Sequence, residues 1–272
     1  MIRSAVTVSL VEQARKGPFV FHGELEEACR IAAELQFHAV EIFAPSPQAV
    51  RALPLARLLS TYGLQLAALG TGAGMLVHRL HLCDSDPDRR RQAEEFIGEM
   101  LRAGADWGAP AIVGSMQGRW DDVTPRPQAL QMLRDSLHRL GDLARGLGTT
   151  LLYEPLNRYE TNLCNTMQEG AELLTPLQSA SVKILADLFH LNIEETSIEA
   201  GLRDAGPFLG HLHFVDSNRQ AAGRGHLDFE RIAGVLKELN YSGYASAEAF
   251  PIPDSVTAAQ QTIRTFQRVF QA

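Results

Sequence analysis

Apolar and polar positions along this chain switch between two periods. Eight short apolar runs, at 5–10, 39–44, 64–72, 111–116, 150–153, 182–186, 209–214 and 244–248, carry the β-formers and small residues of buried strands. Between them the apolar positions fall every three or four residues, as at Leu25, Ala28, Ile31, Ala32 and Leu35. That spacing predicts helices over 24–37, 47–62, 86–107, 127–147, 166–178, 197–208, 228–239 and 254–270. Local signals set their ends: Gly63 and Gly148 close two of them, and Pro87 sits in the first turn of another. The third strand is expected to run into a loop through Gly74. No linker or low-complexity stretch interrupts the series, so residues 1–272 are expected to form one domain, a single (β/α)8 barrel of the α/β class. A doubly wound open sheet is the alternative, and the GxGxxG that would support it after the first strand is absent.

A second regularity lies at the carboxyl ends of the last four strands. The fifth run stops at Glu154 before Pro155; the sixth ends in Asp187, with His190 three residues on. The seventh delivers His213, with Arg219 beyond it, and the eighth ends in Glu248 ahead of two prolines. The intervals of 33, 26 and 35 residues each match one strand, one helix and their loops. In a barrel these ends meet at one mouth, and three carboxylates confined there require a cation. Hard oxygen donors with one imidazole suit manganese, magnesium or cobalt better than zinc.

Four protein ligands leave two positions on an octahedral ion, enough for the carbonyl and neighbouring hydroxyl oxygens of a sugar. An ion so placed would stabilise the enediolate formed when the proton between those groups leaves. Glu154 and Glu248, three strands apart, can reach such a substrate from different faces. One taking the proton and the other returning one is epimerisation, while aldose–ketose isomerisation would move it to the next carbon. His190 and Arg219 are expected to hold sugar oxygens, and Glu160 to orient a hydroxyl or one of those donors. Arg158 reads as the partner of an acid. Glu41 reads as structural or as support for the site, and His78, His81, His138 and His211 as packing or solvent-facing. The glycines at 223 and 225 are expected to let a loop pass close over the site, with Asp228 capping the next helix.

Charge and cysteine content narrow the partners. A formal charge of −7, with no basic run longer than Arg89–Arg91, does not favour nucleic acid. Three cysteines without a CxxC pair suit reduced thiols in the cytoplasm. The apolar stretch at 5–10 is too short for a signal peptide, and no run approaches the roughly 20 apolar residues of a membrane span. A small-molecule substrate remains.

The stretches EPLNRYET with Asn165 and Thr166, ILADLFHLNIEE, HLHFVDSNR with GRGHLDF, and SAEAF together resemble the xylose-isomerase-like sugar epimerase and isomerase superfamily. Thinner similarity runs through VEIFAPSP, ALGTG and GRW, so it covers nearly the whole chain. Within the superfamily the chain is most similar to the 5-keto-L-gluconate epimerases and to the ketose 3-epimerases of the tagatose and allulose group. The resemblance implies a metal-dependent keto-sugar or keto-sugar-acid epimerase, generally a manganese- or cobalt-dependent homo-oligomer, dimer or tetramer. It implies Glu154, Asp187, His213 and Glu248 as metal ligands, Glu154 and Glu248 as the acid–base pair, and Glu160, His190 and Arg219 as substrate-binding residues. Hydroxypyruvate and inosose isomerases or dehydratases are nearer rivals. The apurinic-site endonucleases of the superfamily are a remote one, because their additional histidines would fall on Gly70-Thr71-Gly72 and Gly114-Ser115-Met116. A sugar acid would need a cation for its carboxylate; Arg79, Arg119 and Arg224 are candidates, and Arg119 or Arg224 is expected to make the contact.

Overall fold

The computed structural model describes residues 1–271. Its strands are β1 (Arg3–Ser9), β2 (Phe21–His22), β3 (Ala39–Phe43), β4 (Gln65–Gly70), β5 (Ala111–Val113), β6 (Leu151–Tyr153), β7 (Val182–Asp187), β8 (Leu209–His213) and β9 (Tyr244–Ala247). β1 and β3 to β9 pair in chain order, all parallel, and β9 closes onto β1. Helices surround this closed sheet, and the apolar side chains between helices and barrel form the main core. The fold is the expected single TIM barrel.

Strand alternation sorts the lumen. Leu152 shares a face with Glu154, Leu185 with Asp187, and His211 with His213, so these three polar strand ends each have a buried residue one level below. Ala68, Ile112, Leu152 and Leu185 pack together there, and Ala5, Ala39 and Ala67 fill a further cluster with Tyr244.

Several elements differ from the sequence expectation. The helix expected over 47–62 is two, Pro47–Ala52 and Leu55–Tyr62, because Pro54 lacks the N–H that would carry the ladder across the join. The segment after Gly72 is a helix, Ala73–His78, and β5 ends at Val113, followed by a tight 3-10 turn at Ser115–Gln117. β2 was not foreseen. β9 pairs with Arg3–Val6 of β1 and β2 with Val8 and Ser9, so β2 continues the seam toward the mouth. Thr7 joins the two: its hydroxyl donates to the Ala247 carbonyl at 2.7 Å and accepts from the Val20 N–H at 3.1 Å.

Candidate active site

The four polar strand ends converge. Glu154, Asp187, His213 and Glu248 each offer one ligand atom, and those atoms all lie within 4.8 Å of one another. Nδ1 of His213 is at the centre, 3.1 Å from Asp187 Oδ2 and 3.5 Å from both Glu154 Oε1 and Glu248 Oε2. Local structure aims each group. Asp187 ends β7 and caps the helix Leu188–Glu194: its Oδ1 accepts from the Phe189 and His190 N–H groups, which turns Oδ2 toward His213. Glu154 is held through its backbone, whose N–H donates to the Val113 carbonyl and whose carbonyl accepts from Gln117 Nε2, both at 3.0 Å. Gln117 in turn accepts from the Tyr153 hydroxyl at 2.7 Å. Gly114 gives the Glu154 carboxylate its room, since a Cβ there would meet Oε2 at 2.5 Å.

Electrostatics follow from this crowding. Burial opposes charge on the His213 ring, yet Glu248 and Glu41, with Asp187 and Glu154, outweigh it and hold the ring pKa well above the usual imidazole value. Burial raises the Glu248 carboxyl, and Glu154 and Asp187 add to that against the pull of His213 and Arg219. Burial pushes Asp187 the same way, but His190, Arg219 and His213 prevail and keep it well below the ordinary carboxylate range. Two buried carboxylates, a third half-buried one and an imidazole around one point suit a divalent ion.

The other three expected residues line the same cavity, of about 640 Å³. Arg219 Nη2 bonds Glu248 Oε2 and lies 3.5 Å from Asp187 Oδ2, and its guanidinium carbon sits 4.7 Å from the centroid of the Phe189 ring. It adopts a positive φ of 59°, strained for a side chain of this size, in the turn between the bridged residues Val215 and Ala221. The Phe250 N–H donates to its carbonyl at 2.8 Å. His190 is buried, with Nδ1 2.7 Å from Asn157 Nδ2 and 3.3 Å from the Asn157 backbone N–H. Two donors at Nδ1 leave the hydrogen of a neutral ring on Nε2, so the 3.4 Å approach of Arg219 Nη1 to Nε2 brings two donors together. Glu160 is exposed, with Oε1 3.1 Å from Asn157 Nδ2 and 3.9 Å from Arg219 Nη1.

Some residues were missed or misread in the sequence. Asn157, which orients His190, stands in the same EPLNRYET stretch and carries no spacing signal of its own. Glu41 lies in mid-strand rather than at a strand end, and His211, for which packing or solvent is expected, is buried against it. Arg158 is tied to Glu194 at 2.8 Å. Asp228 caps the helix Phe229–Glu238 as expected, and the preceding loop packs so closely that a Cβ on Gly225 would meet Asp216 Oδ1 at 2.2 Å. None of Arg79, Arg119 and Arg224 lines the cavity; Lys16, from the loop after β1, does, and it makes no ion pair among the described residues. Arg119 reaches the Tyr159 carbonyl instead, at 3.4 Å. Phe19 and Phe43 stack with ring centroids 4.7 Å apart and, with Phe189 and Phe250, give the cavity an aromatic wall. No helix among the described residues is long and apolar enough to cross a membrane.

Known proteins carry the same framework. D-psicose 3-epimerase of Ruminiclostridium cellulolyticum is 32% identical over 227 residues, covering 80% of this chain and 75% of that protein. 3-Dehydro-D-guloside 4-epimerase of Escherichia coli is 33% identical over 171 residues, covering 59% of this chain and 64% of that one. A crystal structure of D-allulose 3-epimerase from Methylomonas sp. in complex with D-allulose has the same fold, with a TM-score of 0.82 at 21% identity over 99% of this chain and 97% of that one. Residues 29–268, nearly all of the barrel, match the xylose isomerase-like TIM barrel; the chain belongs to that family.

Proposed function

We propose that this protein is an isomerase, a divalent-metal-dependent epimerase of a keto sugar or keto sugar acid that acts by removing a proton beside a carbonyl. One observation carries the reading: Glu154 and Glu248, from the two ends of an arc of four adjacent strands, stand equally far, at 3.5 Å, from the His213 nitrogen that Asp187 also approaches. Glu154, Asp187, His213 and Glu248 would hold the ion, with manganese preferred and magnesium or cobalt as alternatives. When bound, it supplies Lewis-acid stabilisation of negative charge on a substrate oxygen.

The remaining steps belong to side chains. One of Glu154 and Glu248 takes the proton on one face of the carbon, and the other returns a proton on the opposite face. His190 Nε2–H and the nearby Arg219 N–H converge as donors for one sugar oxygen, and Glu160 accepts from a hydroxyl. The aromatic wall keeps water from the reacting carbon. The relatives named above act on psicose and on a 3-dehydro-guloside, which supports a keto sugar here. Lys16 beside the cavity supports a sugar acid as well. A cytoplasmic homo-oligomer, dimer or tetramer, completes the reading; exposed Trp120, Val123 and Tyr159 on the adjacent loops after β5 and β6 are a surface that self-association would cover.

The test is turnover of ketoses, keto-hexonates and hydroxypyruvate with Mn2+ in deuterated solvent. Label on the inverted carbon is the expected outcome. Label on the neighbouring carbon would make the protein an aldose–ketose isomerase. E154Q and E248Q should each lose at least about 10³-fold in kcat while folding normally, and appreciable residual epimerisation in either would rule out the two-base scheme.

A further inference from the structure

The lumen one level below the mouth is apolar along β5 to β7, where Ile112, Leu152 and Leu185 pack with Ala68. Beside them it holds an ion-pairing couple, Glu41 from β3 and His211 from β8, 4% and 1% exposed. A carboxylate is costly to bury there, so its contacts need an account. Each oxygen takes one imidazole: Oε2 is 2.7 Å from His211 Nε2, and Oε1 is 3.1 Å from His213 Nε2. An ionised carboxylate only accepts, so both Nε2 atoms carry hydrogen. On a neutral His213 ring the lone pair is then on Nδ1, the atom that faces Glu154, Asp187 and Glu248.

We infer that Glu41 and His211 are positioning residues for the cation site. Glu41 fixes the tautomer and ring plane of His213, and His211, bonded to the other oxygen, fixes Glu41. The inference rests on the reading of Glu154, Asp187, His213 and Glu248 as metal ligands. Glu41, His211 and His213 also lie close enough to hold an ion of their own. That arrangement would require His213 to serve two ions through its two nitrogens, whereas hydrogen bonds of 2.7 and 3.1 Å account for the contacts directly. A carboxylate behind a metal-binding histidine keeps its ring oriented, and losing such a partner typically weakens metal binding about 10- to 100-fold.

The experiment compares wild type with E41Q, H211N and the double variant E41L/H211L. Glutamine can accept from only one of the two rings. The double variant removes both polar partners and lets the lumen repack as it does around Leu152 and Leu185, so it separates positioning from folding. Mn2+ binding is measured by calorimetry, folding by circular dichroism, and ligand geometry by the visible bands of the Co2+ form. Expected are a Mn2+ Kd raised about 10- to 100-fold in E41Q and in the double variant, a smaller rise in H211N, and altered Co2+ bands in all three folded proteins. Wild-type Kd and Co2+ bands in any folded variant would overturn the inference, as would failure of all three to fold, which would make the couple structural. Two Mn2+ ions per wild-type chain, falling to one in the double variant, would overturn it by making the couple a ligand set. A wild-type protein that binds no Mn2+ would instead remove the four-residue site on which the inference depends.

Discussion

At the scale of single residues, the site is built as much by what is absent as by what is present. Gly114 has no side chain where Glu154 Oε2 needs space, and the atom a new methyl group would displace is the far end of a flexible chain. The displacement is therefore cheap for the fold and costly for a carboxylate that must reach one carbon. Gly114→Ala should cost about 1 kcal/mol or less, a melting shift of roughly 3 °C, while lowering kcat on the order of 10²-fold, as a displacement of about 1 Å in a reacting group does. Melting curves and kinetics on the same preparation check this, and a wild-type kcat would mean that the position of Oε2 does not matter. Asn157 shows the complementary limit of sequence reading. Its amide sets which His190 nitrogen carries hydrogen, a role that exists only once residues 33 apart in the chain are in contact.

Among the elements, what could be read from the sequence was what periodicity encodes. The strand ends at 154, 187, 213 and 248 were legible because a strand that ends in an acid or imidazole breaks an apolar run at a definite place. The split at Pro54 and the early end of β5 were less so, since apolar spacing continues through both. β2 was invisible: two residues have no period, and it exists because β9 stops pairing with β1 at Val6 and leaves an edge. The loop that leads into it, fastened by Val11, Ala14 and Phe19 against Ala73, brings Lys16 to the cavity. Arg119 and Arg224 stay outside the cavity, because loop direction is set by such tertiary contacts and not by sequence distance from a strand. Lys16→Met should then raise KM for a keto-hexonate by up to about fivefold, the most an exposed charge pair is generally worth, and leave KM for the neutral ketohexose unchanged. Equal effects on both sugars would remove Lys16 from the specificity of the enzyme.

For the whole molecule, closing the barrel gathers carboxylates from β3, β6, β7 and β9 around His213, and the balance of charge becomes a property of the fold. In protein stripped with EDTA, the proton on His213 offsets that charge. Its pKa is raised in the folded state, so it contributes stability fully below about 6.5, the unfolded value, and loses it as pH rises through the folded value. Glu248, also raised, acts in the same direction from its own lower starting point. A divalent ion competes with these protons, so it must release them to bind, and its Kd should weaken as pH falls, by about tenfold per unit for each proton displaced. At a free concentration 100 times Kd, Mn2+ would stabilise the folded chain by about 2.7 kcal/mol, a rise of roughly 5–10 °C in Tm. Melts of the stripped protein with and without a fixed Mn2+ concentration should therefore show a larger increment at pH 8 than at pH 6. An equal increment at both values, or a larger one at pH 6, would mean that the ion does not take over the charge carried by His213, and the four strand ends would need another explanation for their convergence.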